Sequence, residues 1–298
     1  MKKHFSWMLF TSLIWAMILC FPHPALPKEN TLSVATSIAP LASLIKEIAG
    51  NEAEVICIIP PGSEPHTFEL KPKDMVRLEK AKLLFAVGWN FENFIKQLLI
   101  HLSEKVDIVE VNKGIEPIYY ASKEPNPHIW LSANNIITIT HTIAEYLSQI
   151  DPSNREYYFK NAQSLITKIQ ELHHRFSQKF RSLKNRSFIA SHPSWSYLAR
   201  DYDLQEIGVL EEGPHQIPSP RAIKDLIQKA REKGTKLVLA DRLHNPQLAE
   251  MIAREIGGKV LYLDVLGSPD TSCWELLERN LEPIYQALSE HEQPDNSN

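Results

Sequence analysis

Short apolar runs rich in β-branched residues alternate along most of this chain with stretches whose apolar positions recur every three or four residues. Alternation of the two periods points to parallel α/β structure. Runs at 31–36, 54–59, 83–87 and 106–111 read as strands. Between them, Pro40 opens an amphipathic helix carrying Leu41, Leu44, Ile45 and Ile48 that ends at Gly50. Pro72 opens another with Met75, Leu78 and Ala81 on one side, and a third is predicted over 91–101. An irregular, proline-bearing stretch at 113–127 precedes a helix that runs through 150. From Ser153 to Leu183 there is neither Pro nor Gly, which predicts a helix of about 45 Å. Tyr158, Ala162, Leu165, Ile169, Leu172 and Phe176 form one apolar stripe along it. Strands then return at 187–190, 205–210, 236–240 and 259–264, with helices from 195 to 200, 221–233, 246–256 and 271–288. The plan is an N-terminal lobe over 26–150, a connecting helix over 151–184 and a C-terminal lobe over 185–298. The fold class is thus α/β, two parallel-sheet lobes joined by one long helix.

The N-terminus departs from that pattern. Lys2, Lys3 and His4 precede an apolar stretch at 5–21, broken only by Ser6, Thr11 and Ser12, and a turn-rich PHPALP follows. This is the pattern of a secretory signal peptide over 1–25, cleaved near Ala25. An uncleaved anchor is the competing reading, since about 17 apolar positions lie at the lower limit for a bilayer span. Lipid attachment at Cys20 is disfavoured by Leu19, where lipoprotein signals carry a small residue. Loss of 1–25 removes Lys2 and Lys3 and no acid, moving the formal charge from −4 to −6. A mildly acidic exported chain makes a poor nucleic-acid binder. Of the cysteines, Cys57 and Cys273 would remain; an oxidising compartment permits one disulfide, but their spacing is not that of a zinc cluster. The tail after 290 is expected to be disordered.

Twelve histidines in 298 residues are a mild excess. His66 follows the second strand on the proline-stiffened loop PPGSEPHTFEL, where Pro65 keeps Glu64 out of helical geometry. His192 follows the strand at 187–190, His128 sits in a proline-tightened loop before a helix, and Asp264 ends the last strand. If the carboxyl ends of both sheets face one cleft, these four residues converge there. Three imidazoles and a carboxylate suit a borderline divalent ion such as zinc. From spacing alone, His128 and His192 can equally be structural and Asp264 a helix or turn cap. His173 and His174 lie about 100° apart on the long helix and cannot chelate as a pair.

The segments PPGSEPHTFEL, NPHIWLS, ASHPSWSYLARDYDL, PSPRAIKDLI and VLYLDVLG, in that order, resemble the metal-binding proteins of bacterial zinc and manganese ABC importers. The likeness runs over essentially all the mature chain. It implies that His66, His128 and His192 match the family's three histidines and that Asp264 matches its acidic ligand. It also implies a periplasmic or extracytoplasmic solute-binding protein, monomeric and not an enzyme, that delivers a divalent metal to a membrane ABC permease. The manganese branch often has Glu where this chain has His192, which favours Zn2+ over Mn2+. Two departures stand out. The segment 113–126 holds no histidine, where many zinc members carry a His-rich loop, and Ile217 stands where relatives usually have Glu. His215 beside it reads as an exposed loop residue, with an auxiliary metal contact as the alternative.

Two rival functions remain. A zinc hydrolase would need an open coordination position and a general base; HExxH is absent, and Glu64 and Glu69 read as solvated loop charges. A metal-carrying surface adhesin has no separate sequence signature. The long helix resists wide hinge opening, so metal release is expected through small lobe shifts or loop motion. Affinity is expected to fall below about pH 6.5, because a protonated imidazole cannot ligate.

Overall fold

The computed structural model describes residues 31–95, 106–211, 218–241 and 246–290. In it the first four apolar runs become β1 (Leu32–Thr36), β2 (Ala53–Cys57), β3 (Leu83–Ala86) and β4 (Asp107–Glu110), all parallel, in the order β2-β1-β3-β4. The later runs become β5 (Ser187–Ala190), β6 (Gln205–Val209), β7 (Leu237–Asp241) and β8 (Lys259–Leu263), also parallel, in the order β6-β5-β7-β8. Both sheets therefore follow one plan, in which the second strand lies on one side of the first and the third on the other. Strand order reverses between β1 and β3, and again between β5 and β7. Connections leaving the carboxyl ends diverge at such a reversal and leave a crevice. Strands β3, β5 and β7 are buried along their whole length, which is why their sequences are continuously apolar rather than alternating.

Helix α1 (Ala39–Ala49) has Pro40 in its first turn and fully buries Leu41, Leu44, Ile45 and Ile48. Helix α2 (Pro72–Leu78) starts where the Asp74 carboxylate accepts the Lys71 N–H at 3.0 Å. Helix α3 (Ala133–Ile150) is capped by Ser132, whose hydroxyl accepts the Asn135 N–H at 3.1 Å.

Helix α4 (Arg155–Arg181) is the connector. Its 27 residues span about 40 Å, slightly less than predicted, because Pro152–Asn154 forms a separate 3-10 turn ahead of it. All six predicted stripe residues are buried, joined by Ile166 and Phe180. The stripe packs against α1 and α3 on the first lobe, and against α5 (Ser196–Tyr202) and α8 (Cys273–Glu290) on the second. Asn161 donates to Ile48 O at 2.9 Å, and Lys179 pairs with Glu282 at 2.6 Å. One apolar core consequently passes through both lobes, from Leu44 and Ile143 through Ile169 and Phe176 to Leu277 and Leu281. A smaller core of Ile189, Val238, Ala240 and Ile252 packs with apolar residues of α6 (Pro220–Lys233) and α7 (Pro246–Glu255).

Cys57 and Cys273 do not pair. Cys57 ends β2 with its thiol pushed up to about 11 by burial, and burial raises that of Cys273, at the start of α8, further still. The expected signal segment 1–25 with Cys20, most of the predicted helix 91–101, His215 and Ile217, and the tail after 290 lie outside the described residues. Among the described residues no helix is long and apolar enough to cross a membrane.

Candidate metal centre

Each of three histidines stands at a one-turn 3-10 helix beyond a strand, and the local sequence explains why. After β2 the chain keeps its course beside β1, with Ile58 N–H donating to Thr36 O and Ile59 N–H to Ser37 O. It then turns at Gly62, whose φ of 78° favours glycine. Glu64 stays extended before Pro65, and its carboxylate accepts the His66 N–H at 3.1 Å, which starts the turn Pro65–Thr67. His128 is 4% exposed and precedes the turn Ile129–Leu131. His192, 2% exposed, lies two residues past β5 in extended backbone, with Pro193 opening the turn Pro193–Trp195.

The three imidazoles meet. Ring centroids are 5.5 Å apart for His66 and His128, 5.6 Å for His66 and His192, and 5.0 Å for His128 and His192. One nitrogen from each lies within 4.8 Å of the others. A tetrahedral ion with bonds of about 2.05 Å needs its nitrogens about 3.3 Å apart, so side-chain adjustments on the order of 1 Å would close the set. The space among them is a cavity of about 10 Å³, lined also by Glu64, Phe91, Trp130, Asp241 and Val265. That is room for about one water-sized species.

Aromatic side chains wall this space. Phe91 meets His66 edge-on at 5.0 Å and Trp130 at 5.4 Å, and Trp130 lies 5.3 Å from His128. The Trp130 indole donates to Val265 O on the second lobe at 2.7 Å. Phe91 is presented by a tight turn in which Trp89 and Asn90 are left-handed, at φ 53° and 59°. Buried Glu92 holds that turn by accepting the N–H groups of Val87 at 2.6 Å and Gly88 at 3.2 Å. Burial raises the Glu92 carboxyl above its ordinary pKa, and these hydrogen bonds offset part of the shift.

The expected acidic partner, Asp264, stands apart from the three imidazoles in this structure. Neither Asp264 nor Asp241 is among the grouped ligand atoms; Asp264 is exposed, and its Oδ1 accepts the N–H groups of Leu266 at 3.0 Å and Gly267 at 2.8 Å. It is a turn cap on a separate open cleft of about 510 Å³ that it shares with Arg279 and Asn280. The carboxylates that line the histidine cavity are Asp241, 2% exposed at the end of β7, and Glu64. Sequence reading missed Asp241, although its position directly after the apolar run 236–240 was a usable signal. Glu64, read as a solvated charge, caps the His66 turn instead.

Among the described residues, the other histidines keep away. His173 packs against Tyr202 with the rings tilted and their centroids 5.1 Å apart, and exposed His174 bonds Gln178 at 2.9 Å. Asn126, Phe91, Trp130 and Glu92 also shape the site. Of these only Asn126 and Trp130 fall in a motif, NPHIWLS, and nothing in their spacing tells their roles.

Comparison with known proteins finds similarity over most of the chain. The family model described as "Zinc-uptake complex component A periplasmic" (ZnuA) matches residues 34–287. The high-affinity zinc uptake system protein ZnuA of Bacillus subtilis strain 168 is 26% identical over 254 residues, covering 80% of this chain and 80% of its own. A crystal structure of ZnuA is similar at TM-score 0.80 and 30% identity, covering 87% of this chain and 99% of that one. A manganese-bound variant of the periplasmic metal-binding protein from Candidatus Liberibacter asiaticus gives TM-score 0.79 and 25% identity, covering 86% of this chain and 99% of that one.

Proposed function

Because the chain belongs to the periplasmic zinc-uptake component A family, we propose that it captures a divalent transition metal outside the cytoplasm and hands it to a membrane ABC permease. Zinc is the first candidate and manganese the second. The observation that carries the reading is the meeting of His66, His128 and His192 in a cavity that admits one ion. Neutral imidazole suits zinc, whereas manganese favours oxygen donors. We assign the fourth position to Asp241, the buried carboxylate that lines the cavity. The metal is cargo rather than a cofactor, and the family match supports a receptor over a hydrolase.

Release through loop motion fits the contacts that tie the lobes on either side of the site. Ser132 donates to Asp201 at 2.6 Å, Tyr197 donates to Asn126 O at 2.8 Å, and Lys46 pairs with Asp270 at 2.9 Å. The permease would then supply the free energy that loosens the ligands. The mature protein acts as a monomer in this scheme. Purification from its native compartment, followed by metal analysis and competition of zinc against manganese, tests the reading. One equivalent of zinc that manganese fails to displace is the expected result. Preference for manganese would overturn the specificity, and absence of stoichiometric binding of either ion would overturn the function.

A further inference from the structure

Asn126 is fully buried beside the site and bonded in four directions. Its Nδ2 lies 2.7 Å from Pro193 O, and its Oδ1 lies 3.0 Å from the His128 backbone N, 2.7 Å from His128 Nδ1 and 3.3 Å from the Tyr120 hydroxyl. Two of these partners have a fixed sense. A backbone carbonyl only accepts, so the amide nitrogen must face Pro193; a backbone N–H only donates, so the amide oxygen must face His128. With the amide orientation settled, the short contact to His128 Nδ1 has one solution, in which Nδ1 carries the proton and donates to Asn126 Oδ1. The lone pair of His128 is then on Nε2.

The same side chain spans the two lobes. Asn126 belongs to the loop of His128, and Pro193 follows His192, so one amide joins the ligand loop of the first lobe to that of the second. Tyr197 strengthens the link, donating to Asn126 O at 2.8 Å while accepting the Ile118 N–H at 3.0 Å. We infer that Asn126 is the positioning residue of the centre: it fixes His128 as the tautomer that offers Nε2 to the metal, and it couples the seating of His128 to that of His192. The second half of this inference rests on the metal-binding reading; the tautomer does not. In water neutral imidazole prefers the proton on Nε2, so the assigned tautomer needs the Asn126 acceptor to persist. Hydrogen bonds of this kind to the far nitrogen of a ligating histidine typically contribute 10- to 100-fold in affinity.

The test uses the whole mature protein, metal-free and labelled with ¹⁵N at histidine, at a pH where imidazole is neutral. Long-range proton–nitrogen correlation should find His128 protonated at Nδ1 in the wild type. Asn126→Asp retains the oxygen acceptor but loses the donor to Pro193 O, so it should keep the tautomer and release zinc faster than the wild type. Asn126→Leu loses both, and should shift His128 toward the Nε2-protonated form and weaken zinc binding about 10- to 100-fold. Wild-type His128 protonated at Nε2 would overturn the tautomer assignment, whatever the variants do. Unchanged zinc release by Asn126→Asp with an intact tautomer would overturn the coupling between lobes. If the wild type shows the Nδ1 tautomer but binds no metal, the functional reading fails while the tautomer assignment stands.

Discussion

Two aspartates close neighbouring parallel strands of the second sheet, and they serve opposite ends. Asp241 is the last residue of β7, is buried, and lines the cavity of the three histidines. Asp264 follows β8, is exposed, and caps the turn at Leu266 and Gly267. Strand order accounts for the difference. Strand β7 lies beside β5 at the reversal, so its end opens on the crevice that also receives His192, whereas β8 is an edge strand. The main chain of Asp264 is held to α8, its N–H donating to Asn280 Oδ1 and its carbonyl accepting from Asn280 Nδ2 at 2.6 Å. Strand order thus decides which of the two strand-end aspartates lines the histidine cavity.

Four substitutions test the contrast. His66→Ala removes one of the three imidazole donors outright and should weaken zinc binding by more than the roughly 100-fold that loss of an outer partner costs; competition with a chromophoric chelator measures it. Tight one-to-one binding in that variant, with the fold intact by circular dichroism, would sink the centre. Asp241→Asn should cost about 100-fold in the same assay, since the carboxylate charge is lost but the shape is kept. The comparison would be reversed if Asp264→Asn cost more. That variant should bind zinc as the wild type does and melt within about 0.5 kcal/mol of it, because the amide oxygen still caps. Asp264→Ala should lose about 1–2 kcal/mol by denaturant titration, again with binding unchanged.

A third acid of the same sheet sharpens the point. Glu206 on β6 is pushed from 4.5 up to about 7 by burial, which a hydrogen bond from Ser196 only partly offsets, and no candidate ligand contacts it. Between about pH 4.5 and 7 the folded protein keeps a proton that the unfolded chain has released, so this group lowers stability as pH rises through that window. Glu206→Gln should therefore stabilise the metal-free protein by about 3 kcal/mol at pH 8 and by nothing near pH 4. Zinc affinity should not change. A drop in affinity would mean that burial of an acid in this sheet, rather than its place at the reversal, governs the site.

How much of this was legible beforehand depends on the range over which the cause acts. The apolar runs marked every strand of both sheets, and the absence of Pro and Gly from 153 to 183 marked the connector. The stiff turn around His66 was legible too, because Pro65 restricts Glu64 by local sterics alone. Asp264 illustrates the limit. Its strand-end position was right, but which strand-end carboxylate lines the cavity follows from strand order, which joins segments far apart in sequence. The mutual bonding of Asn126, His128 and Pro193 was equally hidden, since Pro193 lies 67 residues from Asn126.

By itself the sequence determined periodicity, and with it the element types, the two-lobed plan and the loops that carry the histidines. These follow from steric and solvation preferences that act over a few residues. The tertiary structure alone decided which strand ends border a reversal, and hence that Asp241 rather than Asp264 lines the cavity. It also decided the partner of each buried polar atom, because those contacts form only when segments distant in sequence are brought together by a shared apolar core.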